Sequence, residues 1–267
     1  MKAMLEKTEM RESITMENNG QRIFGILHRP LQETPSPIVV FCHGFASSKH
    51  GTQRAFVYLA EALARENIAS LRFDFRGAGD SEGNLSELSF NDLVADAVTA
   101  LNYLPNLEKI DMERVGLFGS SLGGAIAVFS AANNPDRGIK ALALWAPVAS
   151  GELWYRDVIR QNPEFANANV SKAFSSFRGE TINPHFREQF GQMHAARMMG
   201  DLYDLPILHM HGENDTTLSL NHQSEFRKYA NPKCRFISYP QTEHAFGCAQ
   251  VFSEVVTECV GWFKKNL

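Results

Sequence analysis

Between Arg114 and Phe129 the chain reads RVGLFGSSLGGAIAVF, and no other stretch restricts the fold as tightly. A β-prone apolar run ends in two serines, and a run of small apolar residues with helical character starts at once. Gly119 and Gly123 stand two positions before and two after Ser121. Small residues at that spacing let a chain cross itself at a sharp strand-to-helix turn and present the serine hydroxyl at its tip. Ser120 has Phe118 and Leu122 at the same offsets, which are too bulky for such a crossing. The pattern predicts a strand over RVGLFGS, a helix over LGGAIAVFSAANN, and Ser121 as a nucleophile rather than a helix cap in a Gly/Ser turn.

The rest of the chain repeats the alternation. SITMEN and QRIFGILHRP, split by Asn18-Asn19-Gly20, read as an opening hairpin, because Asn-Gly favours a tight turn. PIVVFCHG, SLRFDFRG, IKALALWAP, LPILHMHG and CRFISYP are short apolar runs of the kind that form strands buried on both faces. Helical stretches separate them: QRAFVYLAEALARENI, SFNDLVADAVTALNYL with Ser89 as N-cap, NHQSEFRKYA, and VFSEVVTECVGWFKKNL. Alternating strands and helices predict a mostly parallel sheet covered on both faces. Residues 149–203 break the rhythm. They read as an insertion over the carboxyl edge of the sheet, the edge at which open α/β sheets bind ligands. The expected division is a core of 1–148 and 204–267 with 149–203 as a cap.

A serine hydroxyl needs a base, and the base needs an orienting group. Just past LPILHMHG stands Asp215, and just past the last strand, in SYPQTEHAF, stands His244. The order serine, acid, histidine suits an elbow of this kind. Glu213 lies on the same loop as Asp215 and stays open as the acid, whereas Asp204 precedes the strand and so sits on the wrong side of the sheet. His209 and His211 read as core or edge histidines, and His222 as part of a solvated helix face. Two donors are needed for an oxyanion. The N–H of Leu122, after the nucleophile, and that of Phe45, in the loop following PIVVFC, are the candidates, with the His43 side chain tying that loop down. The glycine-rich FRGAGDSEG lacks the G-K-[ST] ending of a phosphate loop, so Asp80 and Ser81 read as structural residues near the rim.

Composition narrows the partners. The 267 residues carry a net charge of −4 and no basic stripe, which leaves a nucleic-acid role without electrostatic support. Cys42, Cys234, Cys248 and Cys259 have no C-x-x-C spacing and suggest no disulfide framework, so the expected compartment is the reducing cytoplasm. No apolar run approaches the roughly 18 residues of a membrane-spanning helix.

These motifs together resemble the α/β-hydrolase superfamily. The segments CHGFASSKHG, LRFDFRGAGDSEG, LFGSSLGG, HGENDTTLS and TEHAF are similar to those of bacterial serine esterases, among them the cinnamoyl/feruloyl esterases and the serine aminopeptidase-like hydrolases. The resemblance spans about residues 20–148 and 204–266. It implies an eight-stranded α/β-hydrolase sheet with a lid, a triad at Ser121, Asp215 and His244, an oxyanion hole at Phe45 and Leu122, and no cofactor or metal. One departure stands out: cinnamoyl esterases commonly carry His before the nucleophile, where this chain has Ser120. The expected activity is hydrolysis of small-molecule carboxylic esters, aryl or cinnamoyl esters included, by a monomer or homodimer. The same triad would serve a peptidase, amidase or acyl-thioesterase. A metallohydrolase built on His209, His211 and Asp215, and a binding module that retains only the fold, are the competing classes. In the insertion, Trp154 and Tyr155 are the candidate substrate contacts. Of Phe165, Phe174, Phe177, Phe186, Phe190, Met193, Met198 and Met199, most are expected to pack the insertion onto the body and the remainder to roof the pocket.

Overall fold

Apolar runs buried on both faces build the centre of an eight-stranded sheet. In a computed structural model of the chain, which describes residues 9–162, 176–177 and 180–267, strands β1 (Glu9–Asn18), β2 (Gln21–Pro30), β3 (Ser36–Cys42), β4 (Ala69–Phe73), β5 (Ile110–Ser120), β6 (Ile139–Trp145), β9 (Ile207–Gly212) and β10 (Cys234–Tyr239) lie in the order β1-β2-β4-β3-β5-β6-β9-β10. The sheet is mixed. β1 pairs antiparallel with β2 and β2 antiparallel with β4, while β4, β3, β5, β6, β9 and β10 run parallel. Asn19 and Gly20 both take positive φ, 51° and 74°, as the tight hairpin turn requires.

Alternate residues of β3 feed opposite cores, because side chains switch face at each step along a strand. Ile38, Val40 and Cys42 join the larger core with helices α2 (Phe90–Tyr103) and α3 (Leu122–Ala132). Val39 and Phe41 join the other, beneath α1 (Ala55–Arg65) and the final helix, α8 (Ala249–Asn266). Ser89 caps α2 as expected, its side chain accepting from the Asp92 N–H, and the Asp92 carboxylate accepts from the Ser89 N–H at 2.8 Å in return.

Residues 149–203 hold more regular structure than their sequence suggests. They contain α4 (Gly151–Gln161), the two-residue strands β7 (Ser176–Phe177) and β8 (Glu180–Thr181), α5 (Pro184–Gln192) and the single turn α6 (Ala195–Met198). Phe186, Phe190, Met193 and Met199 are buried in the larger core, so they pack this segment onto the body. Phe165 and Phe174, and the side chain of Phe177, lie outside the described residues. Beyond β9, α7 (Asn221–Lys228) buries His222, Gln223 and Phe226. The expected solvated setting of His222 is therefore corrected: the helix turns that residue toward the body, where it is 0% exposed. Among the described residues, no helix is long and apolar enough to cross a membrane.

Candidate active site

The turn after β5 explains its glycines. Ser121 takes φ 56° and ψ −121°, a region that costs a non-glycine residue about 1–3 kcal/mol and persists only where the surroundings enforce it. A Cβ on Gly119 would sit 2.4 Å from the Gly123 carbonyl oxygen, and one on Gly123 would sit 2.1 Å from the Cys42 carbonyl oxygen. A side chain at Gly119 would push the first turn of α3 off β5, and one at Gly123 would push it off the end of β3. The Ser121 N–H donates to the Trp145 carbonyl at 2.9 Å, and its own carbonyl accepts from the Val148 N–H at 3.1 Å. β6 and its exit thus hold the strained residue.

The loop after β3 passes directly beside the serine: a Cβ on Gly44 would lie 3.2 Å from the Ser121 Cβ. The next residue, Phe45, lines the same cavity as Ser121. Leu122 opens α3, where an N–H has no acceptor within the helix. Several contacts tie this loop down. His43 Nδ1–H donates to the Gly44 carbonyl at 2.8 Å and its Nε2 accepts from the Phe75 N–H at 3.1 Å. Burial pushes the His43 ring below its ordinary pKa, which suits a neutral imidazole with one donor and one acceptor. Asp74, fully buried, accepts from the Lys49 N–H at 2.6 Å and from Lys49 Nζ at 2.5 Å, while Arg72 Nη1 donates to the Lys49 carbonyl at 2.6 Å. Burial works against the Lys49 charge, but the hydrogen bonds to Asp74 and Asp80 more than offset it and raise its pKa. Asp80 binds Lys49 Nζ at 2.5 Å, and the Ser81 hydroxyl donates to the Asp74 carbonyl at 2.7 Å.

Past β9 and β10 the structure brings Asp215 and His244 together. Asp215 Oδ2 lies 2.6 Å from His244 Nδ1. Its Oδ1 accepts from the N–H groups of Thr217 and Leu218, at 2.9 and 2.7 Å. Burial alone would raise the Asp215 carboxyl. The His211 and His244 rings and the Leu218 N–H outweigh it and hold the group well below the ordinary carboxylate range. Glu213 is exposed and has no contact with His244 among the hydrogen bonds and ion pairs of the described residues, so Asp215 rather than Glu213 is the carboxylate that meets this ring. His211, read from sequence as a core or edge histidine, is a second imidazole on the Asp215 carboxylate: its Nε2 donates to the Leu218 carbonyl at 2.9 Å and lies 3.4 Å from Asp215 Oδ2. His209 is buried beside it, 5.7 Å between ring centroids. Among the described residues, no group of three or more His, Cys, Asp or Glu side chains is arranged to hold a metal ion.

Ser121 and His244 open onto one cavity of about 500 Å³, whose walls include Phe45, Trp154, Val158 and Thr217. No hydrogen bond joins the Ser121 hydroxyl to the His244 ring among the described residues; such contacts commonly tighten only once substrate is bound. Trp154 faces the cavity with Val158 and Gln161, which follow it four and seven residues on along α4 and so share its helix face. Tyr155 is a correction. One residue further round α4, it turns away from the cavity, packs edge-to-face on Phe190 and donates its hydroxyl proton to the Arg187 carbonyl at 3.2 Å.

A family model described as "Serine aminopeptidase, S33" matches residues 33–193. Among known sequences, the quorum-quenching protein AidA of Acinetobacter baumannii is 32% identical over 139 residues, which cover 52% of this chain and 44% of that protein. The uncharacterised protein YfhR of Escherichia coli K12 is 25% identical over 206 residues, 77% of this chain and 62% of that one. The chain thus spans less than half the length of AidA and less than two thirds of YfhR. Among solved structures, Est1E of Butyrivibrio proteoclasticus with bound ferulic acid superimposes with a TM-score of 0.76 at 20% identity, covering 93% of this chain and 98% of that one. An esterase of Pyrococcus furiosus gives 0.74 at 17% identity, covering 97% and 91%. These likenesses establish the α/β-hydrolase fold.

Proposed function

The chain belongs to the serine aminopeptidase S33 family, and from that premise we propose that it is a serine hydrolase cleaving small-molecule carboxylic esters through an acyl-enzyme. The observation that carries the reading is the 2.6 Å contact of Asp215 with His244 Nδ1, in a cavity that also receives the strained Ser121. With Nδ1 engaged, Nε2 is the nitrogen left to take the Ser121 proton. The hydroxyl oxygen then attacks the ester carbonyl, and the N–H groups of Phe45 and Leu122 stabilise the oxyanion. His244 returns the proton to the leaving alcohol, and water, activated by the same ring, releases the acid. Asp215, held anionic, fixes the imidazole tautomer and stabilises the imidazolium. The cytoplasm suits the free cysteines, and a monomer or homodimer suffices.

Esters rather than peptides are favoured by the wall of Phe45, Phe56, Trp145, Trp154, Val158 and Phe246, which offers apolar surface to an acyl chain or aromatic ring. The esterases among the structural neighbours support the same choice. In this reading residues 149–203 act as the cap that shapes the pocket. The family description supports a second reading, aminopeptidase activity through the same serine. A panel of p-nitrophenyl esters, aryl esters and aminoacyl anilides, run beside fluorophosphonate labelling of the purified protein, separates the two. Ester turnover together with labelling at Ser121 supports the proposal. Anilide turnover alone moves the protein to the second reading, and absence of labelling removes both.

A further inference from the structure

Behind the cavity, a second buried acid–imidazole pair joins three segments that the chemistry above depends on. His222, 0% exposed on α7, accepts the Ala149 N–H on Nδ1 at 2.9 Å. Ala149 follows Val148, whose N–H holds the Ser121 carbonyl at 3.1 Å. The other ring nitrogen, Nε2, faces Asp157 Oδ2 at 3.3 Å, within ion-pair range though out of line for a full hydrogen bond. Asp157, 4% exposed, belongs to α4, and its Oδ2 also accepts the Ser219 N–H at 2.6 Å. Two further bonds run the same way: Arg160 Nη2 to the Thr216 carbonyl at 3.4 Å and Gln161 Nε2 to the Thr217 carbonyl at 3.3 Å. The pair thus meets the exit of β6 against the elbow, the helix that carries Trp154 and Val158, and the loop whose Thr217 and Leu218 N–H groups hold Asp215.

A buried carboxylate facing an imidazole is a poor way to gain stability, since desolvation consumes most of the attraction and apolar residues of equal volume often do as well. Its best-attested use is to fix register, because only one arrangement satisfies it. We infer that Asp157 and His222 are positioning residues that lock the cavity-wall helix and the acid loop to the nucleophile's elbow. The inference rests on the serine-hydrolase reading for its kinetic consequence and on the structure alone for its mechanical one.

The test uses the full chain, titrated with a fluorophosphonate so that rates refer to labelled serines, and p-nitrophenyl butyrate as substrate. His222→Leu lowers kcat/KM by about 10- to 100-fold, the scale of an ångström-level misplacement of reacting groups. It also speeds hydrogen exchange at the amides of residues 216–219. His222→Gln, whose amide can accept from Ala149 and donate to Asp157, retains most of the rate and the slow exchange. Where His222→Leu does not fold, Asp157→Ala, which removes the oxygen that meets both the Ser219 N–H and His222 Nε2, gives the same pair of readings. A purely structural role would lower Tm and leave kcat/KM per labelled serine at the wild-type value, and that result overturns the inference. So does unchanged exchange in the variant, or a Gln variant as slow as Leu. If the wild-type protein takes up no label, the serine-hydrolase reading fails and the exchange data alone decide: faster exchange upholds the lock, unchanged exchange overturns it.

Discussion

The loop after β3 and the loop after β9 both deliver groups to the same cavity, yet they are held by different parts of the molecule. The first is clamped from below by the sheet itself. Asp74, at the end of β4, grips Lys49 through backbone and side chain, and His43 ties Gly44 to Phe75. The second is held from the side, by α4 through Asp157, Arg160 and Gln161 and by His211 from β9. In the proposed mechanism, the loop that would hold the oxyanion is thus rooted in the most deeply buried strands. The proposed acid, Asp215, rests on a segment that also lines the cavity. Changes to the first loop should therefore affect all substrates alike, and changes to the second should depend on what is bound.

The largest expected effect precedes both loops. Ser121→Ala should abolish fluorophosphonate labelling and lower kcat by about 10⁴-fold or more, while Ser120→Ala keeps the label; loss of labelling in Ser120→Ala alone would move the nucleophile by one residue. Asp215→Asn should cost about 10³- to 10⁴-fold in kcat with little change in near-UV circular dichroism, and Glu213→Gln should be mild. A reversal of the two would transfer the acid to Glu213.

Asp74→Ala should act on stability first. It leaves the Lys49 ammonium, 6% exposed, with only the exposed Asp80 as counter-charge, and losing one partner of a buried pair costs about 3–5 kcal/mol. Urea midpoints measure this, and the surviving enzyme should lose rate on acetyl and octanoyl esters by the same factor. Trp154→Ala is the contrasting experiment. It should reduce kcat/KM for octanoyl or aryl esters by roughly the 1 kcal/mol or so of a few lost apolar contacts and leave acetyl esters nearly unchanged. Equal losses across the series would mean that Trp154 is not part of the acyl wall.

The smallest effect is on acid stability. The Asp215 pKa is depressed in the folded protein, so its contribution is fully present above the ordinary carboxylate range and is lost as pH falls from there through the folded value. Urea midpoints of the Ser121→Ala protein should fall as pH drops from 5 toward 3, and adding Asp215→Asn should flatten part of that fall. An acid limb identical in the two proteins would mean that the buried carboxylate contributes nothing to it.

Much of this molecule was legible because its causes are local. The Asn19-Gly20 turn, the Ser89 cap, the strand-to-helix alternation and the glycines about Ser121 each follow from a few neighbouring backbone dihedrals or a close crossing. The helices of residues 149–203 were not read from sequence: Ser150 and Asn183 do cap α4 and α5, but no strand–helix rhythm frames these caps, and the apolar faces they begin are matched only to each other and to the body. Likewise, no local signal separates Lys49 from other loop lysines or Asp157 from other helix carboxylates; their burial arises only once the segments meet.

What the sequence by itself determined is therefore the type of turn that raises Ser121, and the loops from which an acid and a histidine must come. Both depend on short-range sterics and on where strands end. Only the tertiary structure decided that His211 braces the same carboxylate as His244, that Trp154 and not Tyr155 faces the cavity, and that His222 is buried against Asp157. Each of those outcomes turns on which side of a helix or strand lands against a distant segment, and a rotation of one residue, about 100° on a helix, exchanges a pocket wall for a packing contact.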